Sequence, residues 1–123
     1  PDPTAIDVEA LRAFAGLTGE RGADLIGELL DMFAASTPDT LRRLRDVAGG
    51  MDAGDAERLA HSLKGSAATL GVMGIAEMAR RIESLCRDGR AAEILPLVEG
   101  ITAALEPTLS RLRAERLQVE RLE

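Results

Sequence analysis

The chain has no tryptophan and no tyrosine, and Phe14 and Phe33 are its only aromatic residues. A core so poor in rings must be filled by Leu, Ile, Val, Met and Ala, which suits helices packed on helices. The same lack removes the stacking platforms that single-stranded nucleic acids need. A net charge of −6 speaks against any partner with a phosphate backbone. One cysteine, Cys86, permits neither an internal disulfide nor a zinc-site spacing. It falls on the apolar side of an expected helix and reads as a small buried thiol in a reducing, cytoplasmic protein. No apolar run is long enough to span a membrane, and no secretory signal opens the chain. No glycine-rich phosphate loop, Ser/His/Asp constellation or second histidine is present. The Glu-x-x-His signature of di-iron bundles is missing too, because Arg58 stands three residues before His61. Metal binding and autonomous nucleotide chemistry are therefore not expected, and the domain should bind no cofactor of its own.

A length of 123 residues provides for one domain with one core. Helical signals follow one another without strand-like alternation, repeats or low-complexity stretches. Asp7 has the place of an N-cap, with Ile6 and Leu11 as a hydrophobic staple, for a short helix ending near Gly16. A second helix is expected from about Ala23 to Ala48, burying Ile26, Leu29, Leu30, Phe33, Leu41, Leu44 and Val47. Pro38 either kinks it or starts a new helix; the apolar stripe stays in phase across the proline, which favours a kink. After Gly49-Gly50, Asp52 caps a third helix that stops at Gly71 in a Schellman-type turn. A fourth runs from about Gly74 to Asp88, burying Ile75, Met78, Ala79, Ile82, Leu85 and Cys86. The last carries Leu95, Val98, Ile101, Leu105, Leu109 and Leu112, with a kink or break expected near Glu106, ahead of Pro107. The expectation is an all-α, up-down antiparallel four-helix bundle with a short additional N-terminal helix. Residues 5–114 form the domain, residues 1–4 a linker suggesting an excised module, and residues 115–123 a charged helical or frayed extension.

The third helix carries the only histidine, His61. At about 100° per residue with His61 at zero, Leu59, Leu63 and Leu70 fall at about 160°, 200° and 180°. The leucines thus point away from the imidazole, which rides an exposed ridge. Ala68, Gly65 and Glu57 flank it on its own face, with Lys64 and Arg58 beyond them. Glycine inside a helix costs about 1 kcal/mol against alanine, so Gly65 needs a reason, and access to the ring supplies one. Ser66, at about 140°, is expected to face inward and bond back to the Ser62 carbonyl.

The run His61-Ser62-Leu63-Lys64-Gly65-Ser66, closed by Gly71, resembles the signature of histidine-containing phosphotransfer (HPt) domains without departure. The resemblance covers roughly residues 5–112 and agrees with the expected bundle. It implies that His61 accepts a phosphoryl group, that Lys64 neutralises its oxygens and that Gly65 admits the partner's active site. Gly65, Ala68, Arg58 and Thr69 would form the access and docking surface. The implied partners are response-regulator receiver domains and a sensor histidine kinase, which a full-length chain can also contain. Mg2+ belongs to the receiver, and this domain is expected to be a monomeric phosphoryl carrier without kinase activity of its own. The phosphorylatable domain of a chemotaxis-type kinase, or a helical adaptor that is never phosphorylated, are the alternatives.

Hairpin geometry offers His61 a companion. The turn between the third and fourth helices centres near residue 72, and His61 and Glu83 lie equally far from it. Glu83 is then either an acceptor for the imidazole Nδ1–H, leaving Nε2 as nucleophile, or a solvated flank residue. HPt domains often hold Gln or Glu here. Arg58, Arg80, Arg81 and Arg87 could add a basic zone that attracts the carboxylates of a receiver.

Overall fold

The computed structural model describes residues 2–17, 19–50 and 52–122. Within them lie five α-helices and no strand: α1 (Val8–Leu17), α2 (Gly22–Arg45), α3 (Ala53–Thr69), α4 (Met73–Arg87) and α5 (Leu95–Leu122). Single 3-10 turns at Gly19–Arg21, Asp46–Gly49 and Ala91–Glu93 join them. α1 and α3 begin where side chains take up orphan backbone N–H groups. Asp7 accepts from the Ala10 amide at 3.0 Å and Asp52 from the Gly54 amide at 2.6 Å. Pro38 lies inside an unbroken α2, as the in-phase stripe requires.

α3 packs most extensively on α4, and α2 on α5, with α4 on α5 and α2 on α3 completing the bundle. Glu57 pairs with Arg87 and His61 with Glu83, so α3 and α4 run antiparallel. Arg45 reaches Glu99 while Arg116 reaches the Ala23 carbonyl, which makes α2 and α5 antiparallel as well. The core joins Leu11, Ile26, Leu30, Phe33, Leu44, Leu63, Ile75, Ile82, Ile101 and Leu112. Leu29, Val47, Met78 and Leu85 are only partly buried, against expectation. Ala56, Ala60 and Ala67 line the buried face of α3, and such short side chains let the α4 backbone come close.

Two of these expectations need correction and one is narrowed. The sequence predicts a kink or break before Pro107, but α5 continues through it as one helix. Leu105, Leu109 and Leu112 on both sides of the proline are buried, and that packing outweighs the missing hydrogen bond. Of the two alternatives for the 115–123 extension, the structure has the helical one up to Leu122: Val119 is buried, Glu115 pairs with Arg12, and Arg116 lies across Gly27. Residues 2–4 are no loose linker either. The Thr4 carbonyl accepts from Arg111 at 2.9 Å, and the Ala5 carbonyl accepts from the Gly74 amide at 3.1 Å. A Cβ at Gly74 would overlap the Pro3 carbonyl, so this segment is strapped onto the start of α4. Pro1 and Glu123, the outer ends of these two segments, lie outside the described residues.

Thr40, Thr69 and Thr102 turn their hydroxyls back onto the carbonyl one turn earlier. Thr37 and Thr108 do not. Both are buried, neither hydroxyl has a hydrogen-bond partner among the described residues, and each adjoins a proline, Pro38 or Pro107. A buried unsatisfied hydroxyl costs about 1–3 kcal/mol. Thr37→Val and Thr108→Val, close in shape, are each expected to raise unfolding free energy by about 1 kcal/mol. Urea denaturation checks this, and destabilisation of both variants would mean that the hydroxyls are paired.

Candidate functional site

His61 sits midway along α3 with its side chain 67% exposed. Opposite it on α4, the Glu83 side chain is only 7% exposed, the one buried carboxylate among the described residues. Its Oε2 lies 2.6 Å from His61 Nδ1, and its Oε1 accepts from Lys64 Nζ at 2.7 Å. The Lys64 ammonium, first of all, holds the Glu83 carboxyl below the usual carboxylate range, with the imidazole contact adding to it against the opposing effect of burial. An ionised carboxylate can only accept, so the hydrogen between Glu83 and the ring must sit on Nδ1. The Nε2 lone pair is thereby left on the exposed side of the ring.

Lys64 is half-buried against Glu83 and is not a freely solvated cation. Arg87, one turn beyond Glu83, bonds Glu57 Oε1 at 3.0 Å and approaches Glu83 Oε2 at 3.6 Å. Glu57, Arg58, His61, Ser62, Glu83 and Arg87, with Gly54, line an open hollow of about 600 Å³. The expected basic zone is mostly neutralised. Arg58 pairs with Asp55 and Arg80 with Glu77, while Arg81 projects about 160° around α4 from Glu83. Of the four arginines, Arg87 alone bonds into the His61–Glu83 cluster.

The other flank of the ridge is different. Gly65, Ser66, Thr69 and Leu70 of α3 face Leu29, Met32, Phe33 and Ser36 of α2 across a groove of about 440 Å³. Nothing stands within 4 Å of where a Gly65 Cβ would be, so this glycine leaves open space beside the ring. Ala68 and Thr69 are exposed on the same ridge. Ser66 corrects the sequence expectation: it is exposed on the groove, and Thr69 makes the back-bond instead, to the Gly65 carbonyl. The buried stripe of α3 runs through its alanines, about 60° from the centre that the leucines suggest. Met32, 66% exposed, was not anticipated; its i, i+3, i+7 spacing with Leu29 and Ser36 marks a stripe beside the core stripe.

Gly71, by contrast, serves the fold. Its φ of +71° ends α3 in the left-handed region, where the Val72 amide bonds the Ala67 carbonyl at 2.8 Å. A Cβ there would also stand 2.7 Å from the Asp7 carbonyl. Cys86 is buried, and desolvation together with the nearby Glu57 charge pushes its thiol upward, so it is unreactive.

The class defined by this arrangement is an all-helical bundle that presents an exposed imidazole oriented by a buried carboxylate. The family model described as "Hpt domain" matches residues 28–115, and the chain belongs to that family. Membership implies histidine phosphotransfer in a phosphorelay. No curated protein and no solved structure matches the chain. No helix among the described residues is long and apolar enough to cross a membrane.

Proposed function

We propose that this domain is a phosphoryl carrier that accepts the group on His61 from a receiver-domain phospho-aspartate and passes it to a second receiver. The observation carrying the reading is the single imidazole whose Nδ1–H is held by a buried carboxylate while Nε2 stays accessible. The Nε2 lone pair attacks phosphorus, and the N–P bond forms as the P–O bond to the aspartate breaks. The bonding pair leaves with the aspartate carboxylate. The ring keeps its Nδ1–H, and the positive charge that it acquires is opposed by Glu83. Return transfer runs the same steps backwards onto another aspartate.

Lys64 serves this reading through Glu83, which it holds ionised. Gly65, Thr69 and the groove toward Met32 support docking on the α2 side, with Ala68 exposed on the same ridge and Arg58 on the hollow that flanks His61. Mg2+ held by the receiver supplies charge neutralisation at the aspartyl phosphate. The two antiparallel pairs support an up-down four-helix bundle with α1 added, and residues 2–4 and 115–122 pack onto it as part of the same domain, which we take to work as a cytoplasmic monomer.

Incubation with a phosphorylated receiver is expected to label His61 with an acid-labile, base-stable phosphate. His61→Gln should take up none, and ATP with magnesium alone should give no label on the wild-type chain. Mass spectrometry placing the phosphate on Ser62, Ser66 or Thr69 would overturn the proposal.

A further inference from the structure

Glu57 lies one turn before His61 on the same ridge, and Arg87 one turn after Glu83. The two meet across the helix pair at 3.0 Å, and the Arg87 guanidinium also approaches the Glu83 oxygen that anchors the imidazole. Around the bare ring the charges balance: Glu57 and Glu83 against Lys64 and Arg87. Lys64 is occupied on Glu83 and largely covered, whereas the Arg87 side chain is 60% exposed. A phosphoryl group on Nε2 places nearly two negative charges on its oxygens against one positive charge on the ring, and so upsets this balanced set. Of the cations bonded into the His61–Glu83 cluster, Arg87 is the one exposed enough to turn toward it, because a guanidinium on an exposed stem can fork onto phosphoryl oxygens. In turning it leaves Glu57 without its counter-ion, one turn from the new negative charge.

We propose that Glu57 and Arg87 form an exchangeable counter-ion pair that sets how readily phosphorylated His61 gives up its phosphoryl group. This rests on the phosphocarrier reading above. Arg87 stabilises the phosphohistidine, and the Glu57 carboxylate that it abandons destabilises it. Both are positioning residues that act through charge. Their effects therefore have opposite signs, which a merely structural salt bridge cannot produce.

The test uses the purified chain phosphorylated with phosphoramidate, a small donor that needs no docking, with phosphohistidine decay followed by 31P NMR. Arg87→Ala is expected to shorten the half-life by roughly 2- to 5-fold and Glu57→Gln to lengthen it by a similar factor, the range for exposed charge pairs. The double variant should return to within about twofold of wild type, and high salt should shrink both single effects. Arg81→Ala, which removes the same charge from the far side of α4, should change nothing. Thermal melts accompany each variant. If Arg87→Ala fails to fold, Glu57→Gln decides, since it leaves the core untouched. Half-lives that are unchanged in the single variants, or that move in the same direction, overturn the pair alone. Absence of phosphate from His61 in the wild-type chain, with phosphoramidate and with a receiver, overturns the carrier reading itself.

Discussion

Gly65→Gln will fold, melt at or above the wild-type temperature, and lose most phosphoryl transfer from a receiver. The stability half of this expectation follows from the empty space around Gly65: a Cβ there meets nothing within 4 Å. Replacing glycine inside a helix also gains about 0.5–1 kcal/mol by restricting the unfolded chain. The transfer half follows from where a long side chain would go. Side chains lean toward the helix N-terminus, so a glutamine at this position extends over the imidazole one turn earlier. It would also narrow the groove between Ser66 and Met32. A tenfold or greater loss of transfer, about 1.4 kcal/mol of docking energy, is expected from the receiver and much less from phosphoramidate. Gly65→Ala serves as the gentler control, with higher stability and intermediate transfer. Full receiver transfer in Gly65→Gln would show that the partner approaches from the Glu57 side.

Glu83→Ala should have the second large effect, on chemistry and on pH-dependent stability together. It removes the acceptor that keeps hydrogen on Nδ1, leaves Lys64 without its partner and frees the ring to rotate. Loss of a group that orients an imidazole typically costs about 10- to 100-fold, and transfer should fall by that order. Glu83→Gln keeps an acceptor for Nδ1–H and should retain more activity than Glu83→Ala. The pH response has a definite sign. The Glu83 carboxyl is held below its ordinary value of 4.5 in the folded chain. Its stabilisation is therefore fully present above that value and is lost as pH falls through the lower folded-state value. Urea titrations at pH 7 and in the acid range should show a smaller pH-dependent loss in Glu83→Gln than in wild type. Identical pH profiles would mean that the carboxylate is not energetically coupled to Lys64 and His61.

The placement of Glu83 opposite His61 was legible because short turns fix the register of an antiparallel hairpin. Asp7 and Asp52 announced their helix starts, and the in-phase stripe across Pro38 announced a continuous α2, since each depends on local chemistry. What stayed hidden depends on neighbours. The wheel of α3 was weighted by its leucines, yet its closest contact is made by alanines, which rotates the buried face and exposes Ser66. The arginines read as a basic zone, but carboxylates one turn away or across the helix pair neutralise Arg58, Arg80 and Arg87. Pro107 looked like a stop because packing on both sides of it cannot be read locally. The same holds for the extension, which Arg116 and Val119 fasten to the bundle. The strap of residues 2–7 was invisible because it is fastened through its backbone carbonyls and amides, to Arg111, Gly71 and Gly74, and every sequence possesses such groups.

The two prolines and the two unpaired threonines all fall on the α2–α5 side of the bundle, away from the close α3–α4 pair. Each proline removes one rung from its helix ladder, while each buried hydroxyl weakens the seam further. Local opening free energies are therefore unequal across the bundle. Amides of α3 and α4 will be the last to exchange with deuterium, and those near Pro38 and Pro107 will exchange earlier. The imidazole and Glu83 thus ride on the persistent half, whereas one wall of the groove, α2, belongs to the breathing half. Such a division would let the groove change width while the His61–Glu83 geometry is held constant.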